Sequence, residues 1–305
     1  MEQMVNENTN VEQVSEQPKK KQLWKGILFS ALVVVAVLMT QVAVSIAGSM
    51  VLMVQCMLEV GGDAVAFEEI YMEKALSADF TTNVLCFATA GEVIVVLLWY
   101  KLAFVKKYTA EKRAELRNNV LKGKVFGSLA IAAVGCYSLD LLVASVVGMI
   151  SPSTMDSFNE LMANATSGDA LVSFLTIVVL APIAEEIAFR GIIFRMLSKR
   201  TTPVVTIIIS AILFGIFHLN LMQAIYVIPL GLLLGYVAYK YQSVIPCIFI
   251  HMVNNFMPTV VGMLPEALQA VWVFVIVFVV CAAALFVICK KSCSFRDSLF
   301  QKPVL

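Results

Sequence analysis

The sequence is short of charge. Only 14% of its 305 residues are Asp, Glu, Lys or Arg, against about 25% in soluble domains. The formal net charge of +1 gives no overall field for nucleic acid, so no nucleic-acid partner is expected. Histidine is scarcer still, with two residues. Seven cysteines, at 56, 86, 136, 247, 281, 289 and 293, form no C-x-x-C pair. That absence excludes the usual zinc and redox motifs and leaves them as small buried hydrophobes. No internal repeat of fixed period is present, which removes solenoids and arrays. What abounds is apolar: 60% of residues, with a mean hydropathy of +0.88. A soluble globule, a disordered chain and a disulfide scaffold are thereby excluded.

Runs of about 20 apolar residues, the length that crosses a bilayer core as a helix, occur eight times: 26–57, 80–104, 125–150, 170–197, 203–219, 221–240, 243–263 and 267–289. The fold class expected is all-α, a polytopic membrane bundle of about eight transmembrane helices. The fifth run is short and the sixth follows at once, as in a tight helical hairpin. The first 22 residues read as a disordered cytoplasmic tail, 23–290 as the transmembrane domain with its functional core at about 125–265, and 291–305 as a second tail. Ser45-Ile46-Ala47 resembles a signal-peptide cleavage site, but the apolar run continues to Leu58 and is too long for one.

Lys and Arg accumulate on one side of such a bundle. Lys19, Lys20, Lys21 and Lys25 precede the first run, eight basic residues lie from Lys101 to Lys124, and Arg195, Lys199 and Arg200 follow the fourth run. Lys240 follows the sixth, and Lys290, Lys291, Arg296 and Lys302 come last. The opposite loops hold Lys74 among ten acidic residues, Glu59, Asp63, Glu68, Glu69, Glu73, Asp79, Asp156, Glu160, Asp169 and Glu266. Both termini are therefore expected in the cytoplasm of a bacterial plasma-membrane protein. The Lys101–Lys124 segment is expected to touch anionic lipid head groups. Asn164-Ala165-Thr166 matches a glycosylation acceptor, a tripeptide common by chance.

Ionisable side chains at membrane depth mark functional sites. They are Glu92, Asp140, Glu185, Glu186, Arg190, His218 and His251, and they include both histidines, the side chains best suited to proton transfer near neutral pH. Glu186 and Arg190, at i and i+4, can pair along one helix, while Glu185 points about 100° away. Pro182 frees a carbonyl a turn earlier. Phe214 and His218 share a face, as do His251 and Asn255. Counted from the basic loops, Glu185 (14 residues before Lys199), His218 (15 after Pro203) and Asn255 (15 after Lys240) lie at one depth, on the order of 20 Å. Glu92 and Asp140 have no patterned partner and read as structural.

Glu185-Glu186-x-x-x-Arg190, Phe214-x-x-x-His218 and His251-x-x-x-Asn255, in that order on three helices, resemble the signature of the CAAX prenyl protease and bacteriocin-processing (CPBP, or Abi) family of intramembrane proteases. The resemblance implies a helical membrane core that hydrolyses a peptide bond of a membrane-associated protein or peptide. Glu185 and His218 would activate water, His251 and Asn255 would stabilise the oxyanion, and Glu186, Arg190 and Phe214 would support them. Prenylated tails, peptide pheromones, bacteriocin leaders and bacteriocin immunity all fall within what it allows. Zinc on Glu185, His218 and His251 stays open, although no H-E-x-x-H helix exists. A metal-free glutamate mechanism is favoured, with no cofactor. A transporter and a non-catalytic immunity or scaffold protein are the readings from other classes.

Overall fold

The computed structural model describes residues 23–111, 114 and 123–291. The expected tail at 1–22 and all but Lys291 of that at 291–305, with Lys19, Lys20, Lys21, Cys293, Arg296 and Lys302, lie outside the described residues, as do Lys112, Arg113, Arg117 and Lys122 of the basic segment. Every apolar run is helical, as it must be where no water can satisfy the backbone. The helices are α1 (Leu23–Val60), α2 (Ala64–Ala75), α3 (Ala78–Ala103), α4 (Gly123–Ile150), α5 (Pro152–Ala165), α6 (Ala170–Ser198), α7 (Pro203–Phe217), α8 (Leu221–Tyr226), α9 (Ile228–Tyr241), α10 (Ile245–Gly262) and α11 (Val271–Lys291). No strand occurs among the described residues.

Six helices, α1, α3, α4, α6, α10 and α11, are long and apolar enough to cross a membrane, and α7 is a shorter apolar helix. The sixth apolar run departs from the single helix expected of it. It is split into α8 and α9 at Val227, because Pro229 has no N–H to continue the ladder and instead sits in the first turn of a new helix. α2 and α5 are the polar helices that join α1 to α3 and α4 to α6. Asp63 caps α2 by accepting from the amides of Val65 and Ala66, which satisfies donors that a helix start leaves free.

Side-chain contacts fix the helix directions. A Cβ on Gly168 would lie 2.8 Å from the Ala78 carbonyl and closer still to Thr82, so α3 and α6 begin side by side. They also end together, with the Arg195 guanidinium 5.4 Å from the Tyr100 ring and 5.8 Å from that of Phe104, and Lys199 Nζ 5.5 Å from Phe104. α3 and α6 are therefore parallel. α1 runs against both, since Gly26 meets Leu197 and Arg200 at its start while Gly48 meets Val84. The core is centred on the second half of α6, where Phe189, Ile192, Ile193 and Leu197 are buried with Phe214 of α7 and Val33, Val37 and Val96 of α1 and α3. α11 packs on α4 at the periphery and buries none of its span. The site helix thus lies at the centre.

Candidate active site

α6 is not a uniform α-helix. Leu175–Leu180 and Ile187–Ile193 are wound as π-helix on either side of Ala181–Glu186, and such wide turns cluster at functional sites. The first stretch follows from Pro182. The Ala181 amide bonds to the Thr176 carbonyl five residues back, and in the same register the next donor would serve Ile177. That donor is proline and has no N–H. The Ile177 carbonyl is instead reached by Asn255 Nδ2 of α10, at 3.0 Å. The carbonyl freed near Pro182 therefore anchors one of the motif residues.

The acidic motif spans the junction into the second wide turn, with Glu185 and Glu186 ending the α-helical segment and Arg190 inside the turn. Arg190 Nη1 donates to Glu186 Oε1 at 2.9 Å, and both side chains are 0% exposed. Arg190 Nη2 donates to the Gly231 carbonyl of α9 at 3.1 Å, and the guanidinium stands 4.5 Å from the Phe214 ring. Cation, carboxylate and aromatic face thus share one dry cluster, where such attractions are least screened. His251 Nδ1 lies 2.9 Å from the same Glu186 oxygen. A carboxylate only accepts, so Nδ1–H donates and Nε2 is the nitrogen left for chemistry. That nitrogen is 3.8 Å from Glu185 Oε2.

Glu185 differs from its neighbour. Its side chain is 16% exposed, and Oε2 is buried without a hydrogen-bond partner. His218 caps the end of α7 and is half-buried. Its Nδ1 lies 2.8 Å from the Phe214 carbonyl, so Nδ1–H donates there and Nε2 is again free. The Phe214 ring lies edge-on to both histidines, with centroids 4.9 Å from His218 and 5.7 Å from His251. Phe214 thus touches both imidazoles and links their positions. A Cβ on Gly215 would meet the Ala224 carbonyl at 2.4 Å, so a glycine is required where α8 turns back across α7 beside His218.

Glu186, Arg190 and His251 are thus gathered with Glu185 and, through Phe214, with His218, while Asn255 is tied to the π-turn above Pro182. Sequence spacing revealed the Glu186–Arg190 pair. It missed that Glu186 also holds His251, 65 residues away, a contact between helices that no spacing encodes. It also missed the surroundings of Glu92 and Asp140. Glu92 is close enough to Glu185 for their charges to interact, and it hydrogen-bonds Gln41. Asp140, buried with Cys136, stands beside Asn254 and the Leu230 backbone. The signal available was their polarity inside apolar runs. Among the described residues, no three His, Cys, Asp or Glu side chains are grouped so as to hold a metal.

Residues 167–257 match the model of a family described as Rce1-like, Type II CAAX prenyl endopeptidase Rce1-like. No curated protein and no solved structure gives a significant match. The matched stretch starts in the loop before α6 and ends two residues after Asn255, so it contains all three motifs and agrees with the resemblance they carry. Residues 167–257 of this multi-pass helical chain are thus similar to the Type II CAAX prenyl endopeptidase family.

Proposed function

We infer that the site hydrolyses a peptide bond with Glu185 as general base. The observation that carries this reading is the unequal engagement of two adjacent carboxylates. Glu186 is fully enclosed and its Oε1 takes both Arg190 and His251, whereas Glu185 keeps 16% exposure and its Oε2 meets His251 Nε2 only at 3.8 Å, without a hydrogen bond. A water held between Glu185 and His218 Nε2 loses a proton to Glu185 as its oxygen adds to the substrate carbonyl. The oxyanion then takes hydrogen bonds from Nε2–H of a His251 carrying a proton on each ring nitrogen, its Nδ1–H staying on Glu186, and from the second N–H of Asn255, whose first is spent on Ile177. The proton on Glu185 passes to the leaving amine as the C–N bond breaks. Arg190 holds Glu186 in place through its Nη1 hydrogen bond but touches no substrate.

The substrate is a peptide or protein at the membrane, and the reading needs no metal. Purified protein in detergent should cleave members of a peptide library, and Glu185→Ala should cleave none. Dialysis against chelator should leave the rate unchanged. If activity instead follows stoichiometric zinc and returns on its addition, Glu185, His218 and His251 are ligands and the metal-free mechanism is wrong.

A further inference from the structure

Hydrolysis inside a bundle needs a route for water, and the seam between α3 and α6 carries unpartnered polar atoms at two levels, with the Thr89 and Thr176 hydroxyls between them donating to the Leu85 and Val172 carbonyls of their own helices. The helices are parallel and pack on each other from the start of α6 through its second π-turn. Val84 and Gly91 turn another face of α3 toward α1. Thr82, Thr89 and Glu92 on α3, with Ser173 and Thr176 on α6, are at most 6% exposed. Thr82 Oγ1, Ser173 Oγ, Glu92 Oε1 and Glu185 Oε2 are buried without hydrogen-bond partners. These atoms come in two matched levels. Thr82 and Ser173 lie four and three residues into their helices, Glu92 and Glu185 fourteen and fifteen. The levels are about 15 Å apart at 1.5 Å per residue, and the hydroxyls of Thr89 and Thr176 stand between them.

Buried polar groups in native proteins are almost always satisfied, by protein or by ordered water. Four such groups on one seam, ending at the proposed base, are satisfied together if water occupies the seam. We propose that the α3–α6 seam is a hydrated path from the Thr82–Ser173 end to Glu185, and that Glu92 positions the water next to Glu185. Glu92 suits that task, because Gln41 holds one part of its carboxyl group while Oε1 stays free. Glu92 is a positioning residue that acts through Glu185, and this part rests on Glu185 being the base. The path itself does not.

Two measurements test the proposal. Thr82→Cys, Ser173→Cys and Ala88→Cys are made in the full chain, and the purified proteins in nanodiscs are exposed to methanethiosulfonate ethylammonium, a water-borne thiol reagent. The label gained over the parent protein is followed by intact mass. Thiols at 82 and 173 should react at least about tenfold faster than the one at 88, a 2% exposed position on the same helix as residue 82 whose native side chain has no polar atom, because only a hydrated thiol ionises readily. Equal rates at the three positions, or no reaction at any, overturn the path. In the second measurement Glu92→Leu should lower kcat roughly 10- to 100-fold with KM and melting temperature held, and Glu92→Gln should restore most of it. Full activity of Glu92→Leu, or loss in both variants together with a lower melting temperature, overturns the role of Glu92. If the parent protein cleaves no peptide, the proteolytic reading fails while the labelling still decides the path.

Discussion

Glu186 and Arg190 enclose a charge pair with no exposed surface, and a pair of this kind is costly to break from either side. Glu186→Gln leaves the guanidinium buried without its counter-charge and His251 without its acceptor. A loss of roughly 3 to 5 kcal/mol is expected, read as a lower melting temperature with activity falling in step. Arg190→Gln should behave alike. A Glu186→Gln protein that is inactive yet fully stable would move the base to Glu186. The pair was legible in the sequence because four residues along a helix bring two side chains to one face, and it survives the π-turn that the sequence did not announce. The neighbouring roles were less legible. His251 reaches Glu186 from another helix, and Asn255, expected to serve the oxyanion alone, also holds the Ile177 carbonyl.

At the scale of elements, α6 and α7 place the site through two local constraints. Pro182 removes the donor that the wide turn would give Ile177, and Asn255 replaces it. Asn255→Ala should therefore strand a buried carbonyl, at about 1 to 3 kcal/mol. In a Pro182→Ala background, which restores a backbone N–H there, the same substitution should be milder; a double-mutant cycle in thermal unfolding measures the difference. Equal losses in both backgrounds would deny the link. In α7, Gly215→Ala forces a methyl group into the Ala224 carbonyl and must shift α7 against α8, three residues from His218. A loss of about 1 to 3 kcal/mol and a markedly lower kcat should follow. The sequence showed that Pro182 frees a carbonyl but not that Asn255 takes it, and it carried no sign of the Gly215 contact. The broken hairpin of α8 and α9 was hidden because its apolar content suits one helix as well as two, and only Pro229 hinted at the break.

The whole molecule was the most legible level. Eight apolar runs forecast eight helical segments, since helix is the conformation open to a chain in lipid. Their strengths differ, with six full-length helices, one short helix and one pair of fragments. The three motifs fall on α6, α7 and α10, as their order requires. Parallel α3 and α6 bring Arg195 and Lys199 together with Tyr100 and Phe104 at one end, the end that the distribution of Lys and Arg would assign to the cytoplasm. Reporter fusions at residues 70, 110, 160 and 300 should accordingly read out, in, out, in, and an external report at 300 would reject that orientation.

The central claim is that one of two adjacent glutamates carries the chemistry and the other carries the architecture. Glu185→Gln tests it most directly, because it removes the base while keeping shape and leaving the Glu186, Arg190 and His251 cluster intact. Cleavage rate and melting temperature are measured on the same purified sample. A rate lower by a factor on the order of 10² to 10⁴, with the melting temperature unchanged, is the predicted result. A Glu185→Gln protein that cleaves at the parent rate would contradict the account.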